Sequence, residues 1–250
     1  MTRETPAARL KRLSEEGKAA YEAGRLPEAE KSWRAALRLA NHGAPGTAVA
    51  LRNNLAGLFH SQGRIDLAVK YFKAALESCA EAPGGGLALR ATLCNNLGEL
   101  HRSQNEPERA AALFAEAIHT MEKLPNGGGA QLAPVLNNLA EVHRAAGRFD
   151  QAEPLYRRAL GILERVLGPG HAQVGVVWNN LGSMAMDAGR LEEALEAFER
   201  ALELLRKQLG EAHPQVARVM LNCAMALRRR AADYEGAAKA VMEKAGQAGG

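Results

Sequence analysis

The sequence predicts an all-α protein built from one repeated pair of helices. Three observations carry that prediction. A pair of adjacent asparagines recurs in LRNNLAGL (51–58), LCNNLGEL (93–100), VLNNLAEV (135–142) and VWNNLGSM (177–184), with a relic in MLNCAMAL (220–227). The second asparagine stands at 54, 96, 138, 180 and 222, a step of 42 residues each time. Apolar and small residues within each unit follow a spacing near 3.6, and strand-like alternation or β-branched clusters are almost lacking. A period of this length marks an array in which each unit buries its apolar face against its neighbours.

Each unit divides into two helices. In TLCNNLGELHRSQ the inward positions are Leu93, Leu97, Gly98 and Leu100. In EPERAAALFAEAIHTMEKL they are Ala110, Leu113, Phe114, Ala117, Ile118 and Met121. The same step links Ala68, Ala110, Ala152 and Ala194, then Phe72, Phe114, Tyr156 and Phe198, then Ala75, Ala117, Ala159 and Ala201. Gly63, Gly147 and Gly189 share a place that Asn105 fills in the remaining copy. Both residue types accept the left-handed conformation that ends a helix. The stretches APGG, PNGGG, LGPGHAQ and LGEAHPQ punctuate the units as loops.

Two weaker units flank the four full copies. EEGKAAYEAGRLPEAEKSWRAALRLA aligns Gly24 with Gly63 and puts Ala29, Trp33 and Ala36 in the small, aromatic and small places. After Asn222, RRRAADYEGAAKAVMEKA aligns Ala237 and Val241 once one residue is inserted. The whole chain, 1–250, is expected to form a single array with approximate repeats 9–41, 47–81, 87–124, 131–167, 173–209 and 215–246.

The series Trp178-x2-Leu181-Gly182 and Ala194-x3-Phe198-x2-Ala201 resembles the tetratricopeptide repeat. Residues 135–174, VLNNLAEVHRAAGRFDQAEPLYRRALGILERVLGPGHAQV, look very like the longer repeats of the kinesin light chain class. The resemblance covers nearly the whole chain. It implies a right-handed superhelical solenoid of about six helix-turn-helix units and about twelve helices, with the first helices lining a concave groove. The residues beyond the family's usual length add roughly two helical turns, mostly to the second helix.

In that family, asparagines at the second position of the pair hydrogen-bond the backbone of a bound peptide. The resemblance therefore implies groove roles for Asn54, Asn96, Asn138, Asn180 and Asn222. An amide offers donors and an acceptor together, which suits main chain better than one side chain. The opposing expectation is that such amides tie adjacent repeats together. That is the role expected for the first asparagines, Asn53, Asn95, Asn137 and Asn179. Arg102, Arg144, Arg218 and Arg228 complete the candidate groove. Glu99 with Arg102 and Glu141 with Arg144 are i,i+3 pairs that satisfy each other. Arg218, Arg228 and Arg229 are expected to be unpaired and to favour an acidic peptide. The carboxylate clamp of chaperone-binding members is a poor match, because residues 50, 92, 134 and 176 are Ala, Thr, Pro and Val rather than basic.

Enzyme chemistry finds no support. The sequence has no G-x-S-x-G, no G-x-x-x-x-G-K-[ST] and no H-E-x-x-H. His101 and His143, like His171 and His213, recur 42 residues apart. Neighbouring helix axes lie about 8–10 Å apart, too far for a shared zinc ion. The resemblance puts the first pair at the family's aromatic place, as packing residues, and reads the turns that hold the second as structural; no metal or other cofactor is expected. Cys79, Cys94 and Cys223 are odd in number and widely spaced, which fits free thiols in a reducing, cytoplasmic setting. The basic opening MTRETPAARLKRL leaves organelle targeting open, although Glu4 and its shortness argue against it. A net charge of +4 gives no case for nucleic acid, and no apolar run is long enough for membrane insertion.

The expected function is a non-catalytic adaptor or scaffold that captures a peptide or helix of a partner protein. The alternative is a structural subunit held permanently within a large complex.

Overall fold

The computed structural model describes residues 4–79 and 86–248. Within them it contains eleven α-helices, one short 3-10 turn at Gly129–Gln131 and no strand. The chain divides into two compact units at Gly128 and Gly129. The first holds α1 (Pro6–Glu22), α2 (Leu26–Ala40), α3 (Pro45–Ser61), α4 (Ile65–Ser78), α5 (Leu87–Ser103) and α6 (Pro107–Glu122). The second holds α7 (Leu132–Ala145), α8 (Phe149–Leu167), α9 (Ala172–Asp187), α10 (Leu191–Leu209) and α11 (Pro214–Ala248).

Consecutive helices form hairpins, α1 with α2 through α9 with α10, and the punctuation follows the sequence. Gly24, Gly63, Gly147 and Gly189 turn the chain at φ of 71–78°, and Asn105 does the same at 58°. A side chain at these places costs roughly 1 kcal/mol or more, and asparagine is among the residues that bear it best. Prolines at the starts of α3, α6 and α11 give up an N–H that has no intrahelical partner there.

Each hairpin closes where a small residue on the first helix meets an aromatic ring on the second. A methyl group added to Gly98 would lie 2.8 Å from Phe114, and one added to Gly182 would lie 2.6 Å from Phe198. Both rings are fully buried. The first unit's core runs from Trp33 through Leu55, Phe59 and Phe72 to Leu97 and Leu100. In the second unit, Phe198, Ala194 and Ala201 of α10 pack with Val216, Val219 and Ala226 of α11. The second helices α8 and α10 each reach 19 residues, which is where the long repeat places its extra turns.

The final unit departs from expectation. The two helices expected over 215–246 are one continuous helix, α11, of 35 residues. The reason lies at residue 231. The place held by Gly147 and Gly189 falls on Ala231, inside RRRAADYEG, so no residue there accepts positive φ cheaply. The turn is lost and the helix runs on.

Candidate peptide-binding face

The asparagine pairs sit midway along α3, α5, α7 and α9, and Asn222 lies in the third turn of α11. The second asparagine, two residues before the small residue that meets the aromatic ring, is turned away from it, while the first, three residues before, lies nearer that side. Within each unit they join neighbouring hairpins. Asn96 Nδ2 donates to Asn53 Oδ1 at 2.9 Å, Asn180 Nδ2 to Asn137 Oδ1 at 2.7 Å, and Asn222 Nδ2 to Asn179 Oδ1 at 2.9 Å. Weaker rungs run along the same helix: Asn95 Nδ2 to Asn96 Oδ1 and Asn179 Nδ2 to Asn180 Oδ1, each at 3.3 Å. The result is a zigzag of amides in which the first asparagine of one hairpin accepts from the second asparagine of the next. Asn53, Asn137 and Asn179 thus hold the next hairpin.

Each of these links spans 43 residues, one more than the repeat. The same offset joins His60 to Ser103, the Arg144 guanidinium to Asp187, and Arg229 to the Met186 carbonyl. Stacked first helices therefore meet one residue out of register, and polar contacts gather at that diagonal.

Five second asparagines were expected to line a groove, and their surroundings differ. Asn54 is exposed and its side chain makes no hydrogen bond among the described residues. Asn96, Asn180 and Asn222 are half-buried, each with one amide N–H given to the preceding hairpin. Each keeps a second amide N–H, and although Asn96 and Asn180 also accept from Asn95 and Asn179, an amide oxygen has a second lone pair for a further donor. Asn138 is half-buried and borders an apolar notch of about 210 Å³. That notch is lined by Ala133, Pro134 and Asn137 of α7, Leu163 of α8, and Gln173, Val176 and Val177 of α9. Sequence reasoning missed this pocket. Its signal stood at 134 and 176, where proline and valine were read only for their lack of charge.

The charged candidates separate into two groups. Arg102 is neutralised by Glu99 at 2.6 Å. Arg144 is bound on both sides, by Glu141 at 3.0 Å and by Asp187, and the buried Tyr156 hydroxyl donates to Glu141 at 2.8 Å. Arg218 and Arg228 are exposed and have no ion-pair partner among the described residues. Arg229, expected to be unpaired, instead donates to the Met186 carbonyl at 2.9 Å in the last turn of α9. A cation there complements the negative end of the helix dipole.

The histidines are engaged in structure. His101 meets Glu106 at 2.5 Å, and Arg148 Nε donates to His143 Nδ1 at 3.1 Å. Burial, with the Arg148 charge second, lowers the His143 pKa. His171 and His213 accept the backbone N–H of Gln173 and Gln215, each at 3.2 Å, at the starts of α9 and α11. Among the described residues no three His, Cys, Asp or Glu side chains converge as metal ligands. Burial pushes the Cys94 thiol up to about 12 and also raises Cys79 and Cys223. No helix among the described residues is long and apolar enough to cross a membrane.

Comparison with known proteins agrees with the hairpin geometry. Among solved structures, BtubC (BKLC) from P. vanneervenii matches with a TM-score of 0.72 at 27% identity, over 84% of this chain and 84% of that one. A putative kinesin light chain from Podosopora anserina with nearly identical TPR-like repeats matches at 0.65 and 17% identity, over 83% of this chain and 99% of that one. The MamA protein matches at 0.56 and 17%, over 83% and 97%. The last two likenesses are of fold alone. No curated protein matches the chain in sequence. The sequence model of the tetratricopeptide repeat matches residues 46–123, 131–182 and 173–243, and the chain belongs to the tetratricopeptide repeat family.

Proposed function

We propose that the chain is a non-catalytic adaptor that binds an extended segment of a partner protein along the face formed by its first helices. The fold is typical of protein–protein interaction scaffolds and generally lacks catalysis. The observation that carries the proposal is the notch between α7 and α9, apolar at its floor and edged by Asn137 and Asn138. An apolar side chain in such a notch gains about 1.5–3 kcal/mol from burial. Amides along the same face then suit the main chain beside it. Half-buried Asn180 and Asn222 continue that face within the second unit, and Asn96 and exposed Asn54 hold the matching places in the first. With Arg102 and Arg144 neutralised, Arg218 is the cation on this face that would favour an acidic residue in the segment.

The test uses peptides selected from a displayed random library on the whole chain, then titrated by calorimetry. Val176→Glu places an uncompensated charge in the notch and should weaken the selected peptides at least about tenfold, with helicity retained. Peptides that bind Val176→Glu as tightly as wild type would remove the notch from the account.

A further inference from the structure

We infer that α11 is an interaction surface for a second copy of the chain, pairing antiparallel with its counterpart in a two-fold symmetric dimer. The helix has three faces. Val216, Val219 and Ala226, with half-buried Cys223, pack on α10. Arg218, Asn222 and Arg229 form a polar face. The third face is apolar and, apart from Met220, whose sulfur meets the Arg206 guanidinium of α10 at 3.8 Å, uncovered: Met220 is 46% exposed, Leu221 60%, Leu227 45%, Tyr234 69%, Val241 66% and Met242 71%. Residues 231–245 are exposed throughout. Isolated apolar residues on a surface need no explanation, but a continuous stripe does.

This stripe has the regularity of a helix–helix seam. Ala217, Met220, Ala224, Leu227, Ala231, Tyr234, Ala238, Val241 and Ala245 follow one another at alternating steps of three and four. Alanine occupies every other place, and a large residue occupies each place between. Antiparallel pairing then gives layers of Met220 with Ala245, Ala224 with Val241, Leu227 with Ala238, and Ala231 with Tyr234, each large residue set against the other copy's alanine. Parallel pairing would instead stack alanine on alanine and leave gaps. The seam would run about 38 Å, at 1.5 Å per residue.

The residues flanking the seam fit the same register. On the side away from α10, Arg228 of one copy meets Glu235 of the other, and Leu221 meets Met242. Arg228 has no ion-pair partner among the described residues of its own chain. Both flanking pairs occur twice by symmetry, as a self-complementary interface requires.

The earlier hairpins show what kind of group this face accepts. Trp178, Gly182 and Ala185 on α9 hold the places of Met220, Ala224 and Leu227 on α11. Gly182 and Ala185 face the second helix of their own hairpin, α10, across Phe198 and Ala194. On α11 that second helix has instead become the distal half of the same rod. A second copy returns it from outside, with its 234–245 segment lying where the hairpin partner would lie.

Sedimentation equilibrium of the whole chain tests the pairing. A dimer is expected, and Leu227→Glu should abolish it while helicity is retained. Arg228→Glu alone sets like charges together twice and should weaken the dimer about tenfold; adding Glu235→Arg restores the opposite-charge pair and should recover it. A chain that stays monomeric at every concentration overturns the inference and leaves the face to another partner. A dimer indifferent to Leu227→Glu, or one that the double charge exchange fails to rescue, overturns it as well.

Discussion

The amide zigzag predicts opposite outcomes for two chemically identical substitutions, Asn179→Ala and Asn54→Ala. Asn179 is 4% exposed, donates to Asn180 at 3.3 Å and accepts from Asn222 at 2.9 Å. Each such bond contributes about 1 kcal/mol net, the longer one less. Alanine returns about 0.6 kcal/mol because asparagine is a mediocre helix former. Asn179→Ala should therefore destabilise the chain by about 1–1.5 kcal/mol. The Asn54 side chain makes no hydrogen bond among the described residues, so only the helix gain remains. Asn54→Ala should stabilise by about 0.5 kcal/mol. Urea unfolding followed by circular dichroism reads the difference: with a slope of about 2 kcal/mol per molar, the midpoint falls by about 0.5–0.75 M for the first and rises by about 0.25 M for the second. Shifts of the same sign and size would show that the rungs contribute nothing and that the asparagines are held for another reason.

Three further outcomes follow from the same geometry. Burial and Arg148 keep His143 neutral, so between its lowered folded pKa and the ordinary imidazole value of about 6.5 the unfolded chain binds the extra proton. Stability should therefore fall as pH drops below about 6.5, levelling once His143 titrates in the folded chain as well, and His143→Phe should flatten that slope in urea midpoints measured across the window. With its thiol pushed up to about 12, Cys94 should resist iodoacetamide at mildly alkaline pH until the chain unfolds, while half-buried Cys223 is modified first, as followed by intact and peptide mass spectrometry. Gly182→Val forces side-chain atoms into the space 2.6 Å from Phe198 and should cost about 1–3 kcal/mol by thermal unfolding.

Most of the fold was legible because the repeat displays it several times over. One Gly98 facing one Phe114 is a weak signal, but the same small-and-aromatic relation at 56 and 72, 140 and 156, and 182 and 198 is a strong one. The end of the array was less legible. Ala237 and Val241 carry enough of the pattern to suggest a second helix, whereas the backbone responds to Ala231, which removes the turn. The candidate site was legible only in part. A 42-residue recurrence identifies equivalent residues, yet partners in stacked helices stand 43 apart, and that diagonal follows from how the helices meet. Hence the split between first and second asparagines could be stated as an expectation, while the pairing of Asn96 with Asn53 could not be specified. Arg229 shows the same limit, since its partner is a backbone carbonyl that leaves no trace in side-chain pattern. The α7–α9 notch was invisible for a further reason: Pro134 and Val176 become a pocket only when two helices leave a gap between them.

The first-helix face of the second unit is proposed to hold the partner segment. Site-specific photocrosslinking tests it most directly. A photoreactive residue is placed at Val176 in the notch or, as a control, at exposed Lys207 on α10. A selected peptide should crosslink at 176 and be displaced by excess unlabelled peptide, with no comparable product at 207. Equal crosslinking at both places, or crosslinking at 207 alone, would contradict the account.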